Sequence, residues 1–333
     1  MNRLLIIKVT SLGDIVQAQP LVADLQRAFP GVKIDWAADA AFTEVLRWNT
    51  GIDRVLGAPL RQFKKRPRLA DLQSIAASIA ELRRVKYDAI IDVHGVYKSA
   101  IIAFLARGRV CYGYRSVDLG EKGAAFAYTR RMARPAELNA WEGLRLTVSE
   151  AFGYPIEAEA EFGLRIPAPP SIPPAAQQGP FAILLHATSA DNKKWPISHW
   201  QQVGGHIAEQ GIRTLLPWGS EQERAEAQAI AEAIPGATVL PSLTVREVAQ
   251  HIDLATLVIG TDTGFAHLAS AIGKPTVMIF TATSRHHFGV NIPGRAVSVG
   301  GEGCTPSVSE VLAALRSVWQ PAPSRAAVSL RSI

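Results

Sequence analysis

One recurring unit constrains this chain most: a short apolar run, a turn of small or polar residues, then apolar residues at helical spacing. The runs are Leu4 to Val9, Ile34 to Ala37, Ala89 to Val93, Phe181 to Leu185, Thr214 to Leu216, Leu257 to Ile259 and Thr276 to Phe280. Such alternation predicts parallel sheets whose strands are joined by crossover helices. After the first run, Ile15, Leu21, Val22, Leu25 and Ala28 fall near helical spacing and end at Pro30-Gly31, a strong stop signal.

The series breaks once. Between Leu164 and Gly179 the chain is Pro-rich and without helical periodicity, and the strand signals restart at Phe181. The expected layout is an N-terminal domain over 1–166, a linker over 167–180, a second domain over 181–320 and a frayed tail over 321–333. A chain of 333 residues suits two domains. Ligands of open α/β sheets bind beyond the carboxyl ends of the strands, so two such domains are expected to face a shared cleft.

Composition narrows the class. Cys111 and Cys304 stand far apart and outside any C-x-x-C pattern, which supports neither a disulfide framework nor a zinc site and fits a reducing compartment. No apolar stretch approaches the roughly 18 residues of a spanning helix. The first 170 residues carry 24 Lys and Arg against 18 Asp and Glu, and the rest carry 11 against 11. All the excess positive charge therefore lies in the first half, the arrangement of a domain that meets an anionic partner or of one that is simply basic and soluble. A nucleic-acid-binding module is the non-enzymatic reading of pI ≈ 9.4; it lacks any aromatic-studded basic motif and leaves the second half unexplained.

Three strand-to-helix loops carry candidate chemistry. In Thr10-Ser11-Leu12-Gly13-Asp14, Gly13 permits close backbone approach, and Asp14 reads either as a general base or as a helix cap. In His186 to Pro196, Thr188 and Ser189 offer hydroxyls, and Lys193 and Lys194 are either charges for a leaving diphosphate or solvated surface lysines. In Gly260 to His267, Asp262, Thr263 and Gly264 open a helix whose free amides suit an anion, with His267 one turn in; capping and a buried structural histidine are the alternatives. Pro217 to Arg224 adds an acidic candidate for ribose hydroxyls, Glu223 or Glu221, either of which equally suits a helix first turn. There is no G-x-G-x-x-G after the opening strand, no P-loop and no D-x-D. Nicotinamide and P-loop readings lose their support, and metal-independent handling of a diphosphate is the expectation.

The opening Leu-Leu-Ile-Ile-Lys-Val-Thr-Ser-Leu-Gly-Asp-Ile, Asp92 to Ala100, His186 to Trp195, Leu216 to Gly219 and Thr261 to His267, in that order, resemble the bacterial ADP-heptose:lipopolysaccharide heptosyltransferases of glycosyltransferase family 9, most of all the heptosyltransferase I branch. The resemblance implies a GT-B α/β fold, two Rossmann-like domains facing across a cleft, with the final helix returning towards the first. It implies inverting transfer of L-glycero-D-manno-heptose from ADP-heptose to the Kdo region of an anionic lipopolysaccharide precursor. No cofactor, metal or nucleic acid takes part, and the enzyme is cytoplasmic and peripheral on the inner face of the inner membrane. Asp14 matches the base and Lys193 the diphosphate lysine. Thr188, Ser189, Glu223, Asp262, Thr263, Gly264 and His267 match the donor site. Ser11, Gly13, His94 and Lys98 fall on the acceptor side, as does the basic cluster Arg61, Lys64, Lys65, Arg66 and Arg68. Gln17 and Asn139 stand where the family usually has His, so a heptosyltransferase II-like, III-like or protein-directed acceptor stays open, as does another GT-B nucleotide-sugar enzyme.

Overall fold

Leu4 to Ile7 are fully buried, which only a strand covered on both faces requires, and they lie at the centre of a parallel sheet. The computed structural model describes residues 1–59, 69–135 and 137–320. The cluster Arg61, Lys64, Lys65, Arg66 and Arg68 and the tail 321–333 lie outside the described residues. The chain divides into two units, Met1–Ile166 and Pro167 onward.

The first unit runs β1 (Arg3–Ile7), α1 (Leu12–Gln17), α2 (Pro20–Ala28), β2 (Lys33–Asp39), α3 (Thr43–Arg47), β3 (Arg54–Ala58), α4 (Leu69–Arg83), β4 (Tyr87–Asp92), α5 (Tyr97–Leu105), β5 (Gly108–Tyr114), β6 (Arg130–Met132) and α6 (Ala140–Phe152). Its sheet has the order β3-β2-β1-β4-β5-β6, all parallel. The chain winds outward from β1 to one edge and then from β4 to the other. The loops leaving β1 and β4 therefore part to opposite faces, opening a crevice at that switch point.

The second unit repeats the plan with β7 (Phe181–Leu185), α7 (Ile197–Glu209), β8 (Arg213–Leu216), α8 (Glu221–Ala231), β9 (Thr238–Val239), α9 (Val245–Leu254), β10 (Leu257–Thr261), α10 (Gly264–Ala271), β11 (Thr276–Phe280), α11 (Arg285–Phe288), β12 (Ala296–Gly300) and α12 (Val308–Val318). The order β12-β11-β10-β7-β8-β9 is again all parallel and places the switch point between β7 and β10. Val311, Leu315 and Val318 of α12 are buried in this unit's own core.

Two sequence expectations are corrected. The helix read across Ile15 to Ala28 is two, because Pro20 has no N–H to continue the first and instead starts the second. The strands β3, β5, β6, β9 and β12 carry no unbroken apolar run; four of them are edge strands, and β5, next to an edge, mixes Gly and Arg into its exposed start. The Pro-rich connector is tied down along its length. Arg165 N–H still donates to the Trp48 carbonyl of the first unit (2.9 Å). The Gln250 amide then donates to the Pro167 carbonyl (2.7 Å) and Arg213 to that of Ala175 (2.6 Å), tying the stretch to the second unit.

Candidate active site

In the first unit the switch-point loops bring Lys8, Ser11, Asp14 and His94 into one electrostatic group. Asp14 is the third residue of α1. Its Oδ2 accepts from both the Ser11 amide and the Ser11 hydroxyl at 2.9 Å, so it does cap the helix. Its Oδ1 remains for chemistry and lies 3.0 Å from Lys8 Nζ. Burial pushes the Asp14 carboxyl up, but the Lys8 charge and the Ser11 donors outweigh it, and the group sits below its ordinary value. The loop after β4 is held from beneath by Asp92, fully buried, which accepts from the His94 and Gly95 amides and from Tyr128 Oη at 2.7 Å. Gly95 is at φ +80°, where a Cβ would also meet Leu119 at 3.0 Å.

Burial, then the positive charges of Lys8 and Lys98, push the His94 imidazole down to about 4 against the pull of Asp14. Its Nδ1 is buried without a hydrogen-bond partner. It is therefore a neutral ring at physiological pH. Ser11 is the exposed N-cap of α1 and Gly13 is buried in its first turn. Lys98, one turn along the same crevice, is exposed on α5 and lines an apolar cavity. Gln17 is buried on α1, and Asn139 caps α6 by accepting from the Trp141 amide.

In the second unit the loops after β7 and β10 meet through one ion pair. Lys193 Nζ donates to Asp262 Oδ2 at 2.8 Å, Thr283 Oγ1 donates to the same oxygen at 2.8 Å, and His267 Nε2 lies 3.4 Å from Oδ1. Burial pushes the Asp262 carboxyl up, but His267, Lys193 and Thr283 together hold it well below the carboxylate range. Lys194, the other lysine of the pair, is spent on Glu226 and Asp191. Trp195 is buried, and its Nε1–H donates to the Pro306 carbonyl at 2.9 Å, which anchors the loop.

Beside this pair lies a cavity of about 330 Å³ whose polar lining is Thr188, Ser189, Glu223 and Thr263 and whose apolar walls include Trp218, Leu243 and Phe265. The Thr188 hydroxyl is buried and has no partner in the fold. Geometry separates the two glutamates by position. Glu223 lines the cavity while its Oε2 accepts from the Gly219 and Ser220 amides, and Glu221 points out to Arg224. Gly264 opens α10 directly after Thr263, its N-cap. His186 Nε2 donates to the Glu223 carbonyl (3.0 Å), tying the first loop to the start of α8.

Sequence reading missed two members of these groups. Lys8 is the one charge in an otherwise apolar opening run, which was the available signal. Thr283 sits after β11, the neighbour of β10, and only the strand order brings its loop to Asp262.

Two doubly wound parallel units, the second with a polar pocket and a cation at its switch point, have the form of ligand-binding α/β folds. The family model for glycosyltransferase family 9 (heptosyltransferase) matches residues 75–314, and the chain belongs to that family of glycosyltransferases. It is 32% identical over 284 residues to lipopolysaccharide heptosyltransferase 1 of Escherichia coli strain K12, covering 84% of this chain and 88% of the relative. The solved structure of the E. coli heptosyltransferase WaaC with ADP superimposes with a TM-score of 0.84 at 29% identity, over 95% of this chain and 100% of that one. A second WaaC structure, with ADP-2-deoxy-2-fluoro heptose, gives 0.79 at 27% identity over 94% and 99%. Among the described residues no helix is long and apolar enough to cross a membrane.

Proposed function

We propose that this enzyme moves L-glycero-D-manno-heptose from ADP-heptose to the Kdo region of a lipopolysaccharide inner-core precursor, with inversion at the anomeric carbon. The observation that carries the donor half is the Lys193–Asp262 pair beside the cavity lined by Thr188, Ser189 and Glu223, in a chain that resembles a heptosyltransferase solved with ADP. Glu223 receives the ribose hydroxyls. Thr188, whose hydroxyl no protein group satisfies, and Ser189 donate to phosphate oxygens, and Trp218, Leu243 and Phe265 offer walls for the base.

Charge accumulates on the departing ADP as the glycosidic bond breaks. Lys193 and the free amides of Thr263 and Gly264 at the start of α10 supply the compensating positive charge, so the proposed chemistry asks no metal ion to do it. Asp262 and His267 act through Lys193 and the loop rather than on the sugar. Asp14 takes the proton of the acceptor hydroxyl as that oxygen attacks, with no covalent enzyme intermediate. Lys8 keeps Asp14 ionised and ready to accept. Ser11, Gly13, His94 and Lys98 line the acceptor side. The acceptor is an anionic lipid, which accords with the positive excess of the first 170 residues and places the enzyme on the cytoplasmic face of the inner membrane.

The test incubates the full chain with ADP-heptose and Kdo-bearing lipid A, with and without chelator, and reads acceptor mass and anomeric configuration. A gain of one heptose, inverted and unaffected by chelator, is expected. Transfer from UDP- or GDP-sugars but not from ADP-heptose would overturn the donor assignment, and transfer only to heptose-bearing or protein acceptors would overturn the Kdo assignment.

A further inference from the structure

Helix α5 leaves the crevice of the first unit at Tyr97 and has almost no polar residue: only Lys98 and Ser99 interrupt Tyr-Lys-Ser-Ala-Ile-Ile-Ala-Phe-Leu. A helix apolar all round is ordinarily buried all round. This one is not. Ala100, Ile102 and Ala103 face the core, whereas Tyr97, Ile101 and Phe104, at i, i+4 and i+7, are 50%, 50% and 66% exposed. Phe126 of the turn packed on α5 adds a ring 54% exposed and 5.8 Å from that of Phe104. Contiguous apolar surface of this kind marks an interaction site. Behind Ile101 the surface continues into a cavity of about 340 Å³ lined by Ile75, Ile79, Leu82, Ile102 and Leu105.

Charge around the face selects the occupant. Residues 97–131 carry seven Lys and Arg against Asp118 and Glu121. Both acids are engaged: Asp118 with Arg115, and Glu121 with the Tyr97 amide at the start of α5. Two of the seven, Lys122 and Arg131, flank the face together with Arg83. Arg83 donates to the Leu105 carbonyl that ends α5 (2.7 Å), and Arg131 to the Ala125 carbonyl beside Phe126 (2.8 Å). Lys122 is exposed on the same turn as Phe126. Aromatic and aliphatic side chains flanked by an excess of cations match a lipid leaflet with anionic headgroups, where rings enter the acyl boundary and cations remain among the phosphates.

We infer that the outward face of α5, with Phe126, is the surface by which this enzyme lies on an anionic phospholipid bilayer. The inference deepens the proposed membrane location and rests on it. It assigns no role in the transfer step to Ile101, Phe104 or Phe126, so binding and chemistry are separable.

The experiment measures co-sedimentation of the full chain with vesicles of phosphatidylglycerol and phosphatidylcholine, and of phosphatidylcholine alone, for wild type and for Ile101→Ser/Phe104→Ser. Transfer to a deacylated, water-soluble acceptor is measured alongside. Expected are binding to the anionic vesicles only, a loss of at least tenfold in the double variant, and unchanged turnover on the soluble acceptor. A Phe104→Cys variant made in Cys304→Ser and carrying an environment-sensitive dye should shift to the blue on those vesicles alone. Vesicle binding that the double variant retains, equal binding to neutral vesicles, or a face that the variant shows to be a self-association surface would each overturn it. Loss of soluble transfer by wild type would count against the proposed function and leave this surface standing.

Discussion

The Lys193–Asp262 pair permits a test that neither residue permits alone. Lys193→Met keeps the length of the stem and removes the charge; Asp262→Asn keeps the shape and removes the counter-charge. Deleting one preorganised donor to a developing anion costs about 10²–10³ in kcat, or about 2.7–4 kcal/mol, so Lys193→Met should fall in that range. Asp262 touches the lysine at 2.8 Å and is 12% exposed at the side chain, against 23% for Lys193. A charge-assisted bond of this sort contributes about 1.5–3 kcal/mol. Spent on aiming Lys193, it makes Asp262→Asn roughly 10- to 100-fold slower. Thr283 and His267 still hold Asp262 ionised in Lys193→Met, so a bare carboxylate then stands beside the incoming diphosphate. Neutralising it should recover activity. The double variant is therefore expected to be at least as active as Lys193→Met, a coupling of about 1.5 kcal/mol or more. The assay is kcat/KM for ADP release at saturating acceptor, with urea midpoints of all four proteins as a check on folding. Losses that simply multiply would refute the claim that Asp262 works through Lys193, and a fully active Lys193→Met would remove lysine from the leaving-group chemistry.

Other outcomes follow from the same geometry. Asp14→Asn should lower kcat by about 10²–10⁴ while ADP binding by calorimetry stays within twofold, since a general base contributes about that much; near-normal turnover would dismiss it as base and leave the cap. Glu223→Gln keeps a side chain able to accept from the Gly219 and Ser220 amides, so the melting temperature should hold while the donor KM rises about tenfold, the cost of one charge-assisted bond to a hydroxyl; a fall in stability without a change in KM would make Glu223 purely structural. His94 has its pKa pushed down to about 4 in the fold against about 6.5 unfolded. The unfolded chain thus binds the extra proton first as pH falls, and stability drops between about pH 6.5 and 4, by about 3 kcal/mol at most. His94→Gln should flatten that part of the urea-denaturation profile, leaving a residual slope from His186, which burial also pushes down; an unchanged slope would mean that His94 is not held neutral.

The strands at the centre of each sheet were legible because they are covered on both faces. β7 and β11 were read to the residue, and β1 and β4 within two, since Leu4, Ile6, Ile91 and Leu184 have no solvent side to advertise. The outer strands were not legible, because half of each faces water and nothing in Arg54–Ala58 or Thr238–Val239 forces an apolar run. Much the same holds for the site. Asp14, Lys193, Glu223 and Asp262 stand at the ends of readable strands, where a polar residue in a small-residue turn is conspicuous. Whether Asp14 caps or carries chemistry could not be read from type alone: one carboxylate oxygen caps the helix and the other lies beside Lys8, so the cap does not exclude a second role. Glu221 and Glu223 are indistinguishable by type, and only the phase of α8 separates them. Thr283 was invisible because its partner is 21 residues away and is reached only through the adjacency of β10 and β11.

The two units share a topology but reverse the electrical role of their switch points. In the first, the crevice presents a carboxylate whose cation, Lys8, directly follows β1 and is 10% exposed, so the accessible partner is the anion, Asp14, at 40%. In the second, the carboxylate is the sheltered member, at 12%, and the lysine is the more open, at 23%. Each pair leaves one charge more sheltered and the other more open to solvent. In the proposed function the open carboxylate of the first unit would take up the acceptor proton and the open lysine of the second would meet the departing diphosphate. The same topology thus presents a carboxylate in one unit and a lysine in the other by exchanging which member of the ion pair is sheltered, and in the first it is Lys8, inside an apolar run where a lysine is costly, that takes the sheltered place.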